Sequence, residues 1–239
     1  FRIKQINESF FKAIKEVGYN GYYKGVFPVK VNQQAQVIDR IVDFGKEFDF
    51  GLEVGSKPEL LIALAHDLSS ESTIICNGIK DKEFINLAIL SLKIGFKTIL
   101  VLESPRELDL IIKVSQELNV RPLLGIRVKL TNKVSGNWSQ SSGDRSAFGM
   151  SVEQVMKVIT KLKVNNYLDC LVLQHSHLGS QIPDIIEIRK ATQEACRFYS
   201  EMSKQGAPLE YLDLGGGLGV DYTGEQKSSL NSINYTLDE

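Results

Sequence analysis

Thr73–Leu102 reads TIICNGIKDKEFINLAILSLKIGFKTILVL, a short branched apolar run, a charged segment of helical period, and a second apolar run. A strand, a helix and a second strand in that order form the unit whose two strands lie parallel in one sheet. The pattern repeats along the chain. Strands are expected near Tyr22–Val29, Phe50–Val54, Thr73–Cys76, Thr98–Leu102, Leu123–Lys129, Cys170–His175 and Tyr211–Leu214. Between them, helical periodicity covers Gln33–Phe44, Pro58–His66, Lys82–Ile94, Pro105–Leu118, Val152–Leu162 and Asp184–Lys204. Ser151 and the Ser104-Pro105 pair mark helix starts, with a hydroxyl for the first free amides and Pro105 at the first helical position. Strict alternation implies an α/β fold with a parallel sheet, either doubly wound or a TIM-type barrel. Seven units favour a barrel truncated after about seven strand-helix units.

The composition narrows the function. With 239 residues, 43% of them hydrophobic, the chain can bury a substantial core. Its formal net charge of −1 and the lack of a basic stripe argue against nucleic acid or an anionic membrane as partner. No run approaches the roughly 20 apolar residues of a membrane helix, and no signal-peptide layout opens the chain. Cys76, Cys170 and Cys196 are odd in number and widely spaced, so neither a disulfide framework nor a zinc knuckle is suggested, and a reducing cytoplasm fits. The chain starts at Phe1 and is expected to be a fragment. The rhythm breaks at Thr131–Gly149, a polar stretch rich in glycine and serine that holds the only tryptophan, Trp138. Loops of that length are commonly functional or disordered.

A parallel barrel collects its chemistry at the carboxyl ends of its strands. There the sequence delivers Lys30, Glu53, Arg127, His175 with His177, and Asp213 followed by Gly215, Gly216, Gly217, Leu218 and Gly219. Each has a purely structural explanation when taken singly; together they define one kind of rim. A glycine run directly after a strand lets backbone amides approach an anion. Its spacing matches neither the dinucleotide fingerprint nor the P-loop. An amine, an imidazole and a phosphate cradle are the parts that hold pyridoxal phosphate. They equally suit a sugar-phosphate aldolase that works through a Schiff-base lysine.

The segments Tyr23–Gln33, Gly51–Leu60, His175–Ile182 and Leu212–Tyr222 closely resemble those of the biosynthetic arginine decarboxylases. These form a branch of the pyridoxal-phosphate barrel decarboxylases of the ornithine, diaminopimelate and arginine type, within the alanine-racemase-like barrel class. The likeness runs through nearly the whole chain, and the Val31-Asn32-Gln33 continuation separates it from the ornithine and diaminopimelate branches. The resemblance implies decarboxylation of L-arginine to agmatine and carbon dioxide, the entry step of polyamine synthesis. It implies that Lys30 holds the cofactor as a Schiff base and that His177 stacks on its ring. Ser180, Gly215, Gly216 and Gly217 would surround the phosphate, with Glu53 near the lysine and Arg127 as a basic neighbour. Asp213, Gly219, Asp221 and Tyr222 would border the substrate.

The resemblance further implies a homo-oligomer, a dimer or higher, and associates magnesium with the family. No carboxylate cluster here reads as a magnesium site. Residues 1–239 would be the pyridoxal-phosphate-binding barrel domain alone. The acidic partner of the pyridine nitrogen, the carboxy-terminal β-domain and its interfacial cysteine are expected beyond Glu239, so this stretch alone is expected to be inactive. Ala147 stands where relatives often carry lysine. A catalytically silent pyridoxal-phosphate barrel and a decarboxylase of another basic amino acid are the competing readings.

Overall fold

A computed structural model describes residues 1–131, 149–221 and 233–237. The seven strands are β1 (Val26–Pro28), β2 (Gly51–Val54), β3 (Thr73–Cys76), β4 (Lys97–Leu102), β5 (Leu123–Arg127), β6 (Leu171–His175) and β7 (Tyr211–Asp213). Their order in the sheet is their order in the chain, and the pairs β1–β2, β2–β3, β3–β4, β5–β6 and β6–β7 are all parallel. The helices are α1 (Arg2–Glu16), α2 (Ala35–Gly45), α3 (Lys57–Leu64), α4 (Lys82–Lys93), α5 (Glu107–Leu118), α6 (Val152–Val164) and α7 (Ile185–Lys204). One helix thus separates each strand from the next, as in the parallel barrel class expected from the sequence.

Two compact units divide the chain. The first comprises Phe1–Leu100 and Asp109–Leu123. Every residue of β2 and β3 is buried there, because strands covered on both faces read as continuous apolar runs. The apolar face of α4, with Phe84, Ile85 and Ile89, is also buried. Asp81 caps this helix by accepting from the Phe84 amide at 2.8 Å. The second unit comprises Val101–Leu108 and Leu124–Leu237. All of β6 is buried in it, and the fully buried Gln174 donates to the Ala195 carbonyl of α7 at 2.9 Å. Ser151 and Gln154 form a reciprocal capping box at the start of α6.

Two expectations need correction. Helix α5 begins at Glu107, not at Pro105: the Glu107 carboxylate reaches back to accept from the Glu103 and Ser104 amides, at 2.6 and 3.3 Å. This side chain meets the two amides just before the helix. The first strand is also shorter than expected. Tyr22–Gly25 lie outside it; Tyr23 stacks on Phe10 of α1, with ring centroids 4.0 Å apart, and the ladder with β2 runs over Val26–Pro28, preceded by one bond from the Gly51 amide to the Gly25 carbonyl. Of the Thr131–Gly149 loop, residues 132–148, including Trp138 and Ala147, lie outside the described residues. Its flanks are pinned: Thr131 donates to Glu194, and Met150 returns to exchange backbone hydrogen bonds with Arg127 and Lys129.

Candidate functional site

In the first unit the site is built around Lys30. Pro28 has no amide to extend the ladder, so β1 stops there and the chain makes a single tight turn, Val29–Val31, with Lys30 at its centre. The register pairs Pro28 with Glu53, which brings the Glu53 carboxylate alongside that turn. Lys30 Nζ lies 3.5 Å from each Glu53 oxygen. The two side chains differ sharply in exposure, 63% for Lys30 and 9% for Glu53. Asn77, just past β3, donates to Glu53 Oε1 at 3.1 Å. Its own Oδ1 is buried and has no hydrogen-bond partner among the described residues.

The neighbouring Cys76 thiol is pushed up to about 12, chiefly by burial, with Lys80 opposing and Glu53 adding to the shift. It stays protonated near neutral pH and is no competing nucleophile. Part of the Gly55-Ser56-Lys57-Pro58-Glu59 motif is architecture. Ser56 caps α3, and the Glu59 carboxylate accepts from the Gly55 amide at 2.9 Å and the Ser56 hydroxyl at 3.0 Å.

In the second unit, Arg127 ends β5 and donates from Nη1 to both Glu103 oxygens, at 2.9 and 3.2 Å. Glu103 was missed by the sequence reading. Its signal was the same as that of Glu53: a carboxylate where an apolar strand ends. His175 is the last residue of β6 and faces Asp213, the last residue of β7. His175 Nδ1 lies 2.7 Å from Asp213 Oδ2, while Asp213 Oδ1 accepts from the Gly215 amide at 2.7 Å. Burial opposes the charge of Asp213. The field and hydrogen bond of His175, the Gly215 amide and the field of His177 outweigh it, holding the carboxyl below its ordinary value.

The glycine turn follows directly. Gly215 has φ of 65°, and a Cβ there would lie 2.9 Å from the Ser176 carbonyl oxygen and 3.0 Å from His177 Nδ1. Only glycine fits so close an approach in that backbone region. The Gly216 amide donates to His177 Nδ1 at 3.4 Å. Gly215, Gly216, His177 and Ser180 are all exposed, whereas Ser176 is fully buried with a hydroxyl that has no partner among the described residues.

Two further residues escaped the sequence reading. Gln181, at φ of 51°, clamps Val220 with both ends of its amide, at 2.7 and 3.1 Å. Tyr235 accepts from the Gly219 amide at 2.6 Å and donates to the Ile182 carbonyl at 2.7 Å. These contacts fix the backbone just before Asp221. Tyr222 lies outside the described residues.

Each arrangement, taken by itself, offers groups that suit one part of pyridoxal phosphate. An exposed primary amine beside a buried carboxylate suits condensation with an aldehyde. A bare glycine backbone and an exposed imidazole suit an anion and an aromatic ring.

Comparison with known proteins agrees. Residues 3–239 match the family model described as pyridoxal-dependent decarboxylase, pyridoxal binding domain. A biosynthetic arginine decarboxylase of Prochlorococcus marinus (strain MIT 9301) is 51% identical over 236 residues, which cover 99% of this chain and 36% of that protein. The chain therefore spans little more than a third of the length of such relatives. Among solved structures, the biosynthetic arginine decarboxylase of Campylobacter jejuni matches with a TM-score of 0.86 at 37% identity, covering 99% of this chain and 38% of that one. Diaminopimelate decarboxylase from M. jannaschi matches with a TM-score of 0.75 at 25% identity, covering 95% and 51%.

Proposed function

The chain belongs to the pyridoxal-dependent decarboxylase family through its pyridoxal-binding domain, and from that premise we propose that the whole protein decarboxylates L-arginine to agmatine and carbon dioxide, feeding polyamine synthesis. The 51% identity to a biosynthetic arginine decarboxylase across nearly the whole chain carries the choice of substrate. Family membership leaves the sugar-phosphate aldolase without support.

When bound, pyridoxal phosphate supplies an aldehyde for the amine and a conjugated ring that accepts electrons from the bond breaking at the substrate. Lys30 contributes the amine. Glu53, 3.5 Å away, takes and returns the proton of Nζ, since only the neutral amine attacks. Asn77 keeps that carboxylate in place. His177 offers its exposed imidazole to the ring, and Ser180 and Gly215–Gly217 receive the phosphate. Arg127, aligned by Glu103, adds positive charge on this side. Gly219, Asp221 and Tyr222 border the substrate in this reading. For Asp213 the engagement of both carboxylate oxygens favours a role within the fold of the site over contact with substrate.

Residues 1–239 form the cofactor-binding barrel domain in this proposal, with the carboxy-terminal β-domain outside them and a homo-oligomer as the working assembly. A cytoplasmic location accords with three free cysteines, two of them buried. No helix among the described residues is long and apolar enough to cross a membrane. The magnesium expectation gains no support: among the described residues, no group of three or more His, Cys, Asp or Glu side chains is placed to hold a metal ion.

The test is carbon dioxide release by the full-length protein from arginine, ornithine, lysine and diaminopimelate. Preference for arginine is expected, and preference for any other substrate overturns the assignment. Cofactor binding with no release from any of the four would point to a silent barrel.

A further inference from the structure

The pair His175–Asp213 has no part in the roles assigned so far, yet its carboxylate is bound to the first residue of the glycine turn. His175 is 5% exposed, and its Nδ1 meets Asp213 Oδ2 at 2.7 Å. The second oxygen, Oδ1, fixes the Gly215 amide at 2.7 Å, and the Asp213 carbonyl accepts from the Ser176 amide at 2.8 Å. The turn so fixed lies against His177 with no room for a Cβ at Gly215, and Gly216 donates to His177 Nδ1. Strand β6 therefore influences the phosphate loop and the ring-stacking imidazole through one carboxylate.

We propose that His175 is a positioning residue. By orienting Asp213, it holds the Gly215–Gly217 turn and His177 in the form that receives the cofactor's phosphate. This rests on the reading that the chain binds pyridoxal phosphate.

The physical basis is that a carboxylate has two oxygens and many rotations. With Oδ2 anchored by an imidazole N–H, Oδ1 is committed to Gly215; without that anchor the carboxylate is free to turn, and the glycine turn loses its template. A hydrogen bond to a charged group is the stronger kind, so its loss is felt. A pair that serves only to hold β6 against β7 would leave phosphate recognition untouched, and this difference can be measured.

The experiment uses full-length apo-protein titrated with pyridoxal phosphate and, separately, with pyridoxal, which lacks the phosphate. Binding is followed by the cofactor's absorption, and folding by circular dichroism. Asparagine places an amide N–H near the position of Nδ1, whereas glutamine carries its amide further out. His175→Asn is expected to keep the wild-type ratio of the two dissociation constants. His175→Gln is expected to lower the preference for the phosphorylated ligand by roughly tenfold. Asp213→Asn, of unchanged volume, should lower it similarly and gives an independent arm if His175→Gln folds poorly.

Equal weakening of both ligands, an unchanged ratio in His175→Gln and Asp213→Asn, or equal losses in His175→Asn and His175→Gln each overturn the positioning role. A wild-type protein that binds neither ligand overturns the cofactor reading itself, an outcome distinct from these three.

Discussion

Around Lys30 the chain commits one buried carboxylate, at 3.5 Å, to an amine whose side chain is 63% exposed. Around Asp213 it commits an imidazole, two backbone amides and a left-handed glycine, with three of the hydrogen bonds at 2.7–2.8 Å. The first arrangement leaves a reactive group room to change partners; the second fixes a surface. The difference accords with the chemistry the proposed roles ask of each. A lysine that must bond an aldehyde and then give way to a substrate amine is hindered by a tight partner. An anion cradle works by preorganisation, since donors already in place cost no rearrangement when charge arrives.

Replacing Lys30 with alanine should break the comparison outright. No amine remains at this turn, so covalent attachment of pyridoxal phosphate and decarboxylation by the full-length protein should both be lost, while the fold, judged by circular dichroism, survives. Next in size is Gly215→Ala. The left-handed backbone alone costs a non-glycine residue about 1–2 kcal/mol, and the new Cβ at 2.9 Å from the Ser176 carbonyl adds to that. The expected result is a lower midpoint in denaturant and weaker binding of pyridoxal phosphate, with Lys30 still able to react with pyridoxal. Glu53→Gln should be milder for the fold, keeping the volume and a partner for Asn77, but it removes the proton acceptor. Covalent attachment should slow by about 10²-fold near neutral pH, measured by the rate at which the absorption band develops.

The smallest effect concerns acid. Asp213 has a folded-state value below its ordinary 3.8, so it contributes stability that is fully present above that value and lost as pH falls through the lowered one. The stability gap between the wild type and Asp213→Asn should therefore shrink as pH drops below 3.8, read from denaturant midpoints. A gap that widens towards acid would show that the carboxylate is not held as described.

How much of this could be read beforehand differed in the same way between the two regions. Strand β3, Thr73–Cys76, was legible to the residue because a buried parallel strand writes itself as a branched apolar run. Lys30 and Glu53 were legible as polar residues at the ends of such runs, and the glycine run spoke for itself. Partners such as these were not: Glu103 for Arg127, Gln181 for Val220 and Tyr235 for Gly219. Each is a polar side chain near a strand end or in a loop, acting on a residue 16 to 39 positions away. Periodicity carries no trace of such a choice. The start of α5 was misplaced by two residues: the serine-proline signal lies just ahead of a helix that begins at Glu107, whose carboxylate binds the amides before it. His175 was visible, but its bond to Asp213 depends on the register of β6 against β7, which no local pattern states.

The central claim is that Lys30 carries the cofactor, and the direct measurement is chemical. Full-length protein loaded with pyridoxal phosphate is reduced with borohydride, digested, and the modified peptide located by mass spectrometry. The account predicts a single pyridoxyl group, on Lys30 within Gly25–Asn32. Modification of another lysine such as Lys24 or Lys80, or no modification of the loaded protein, would contradict it.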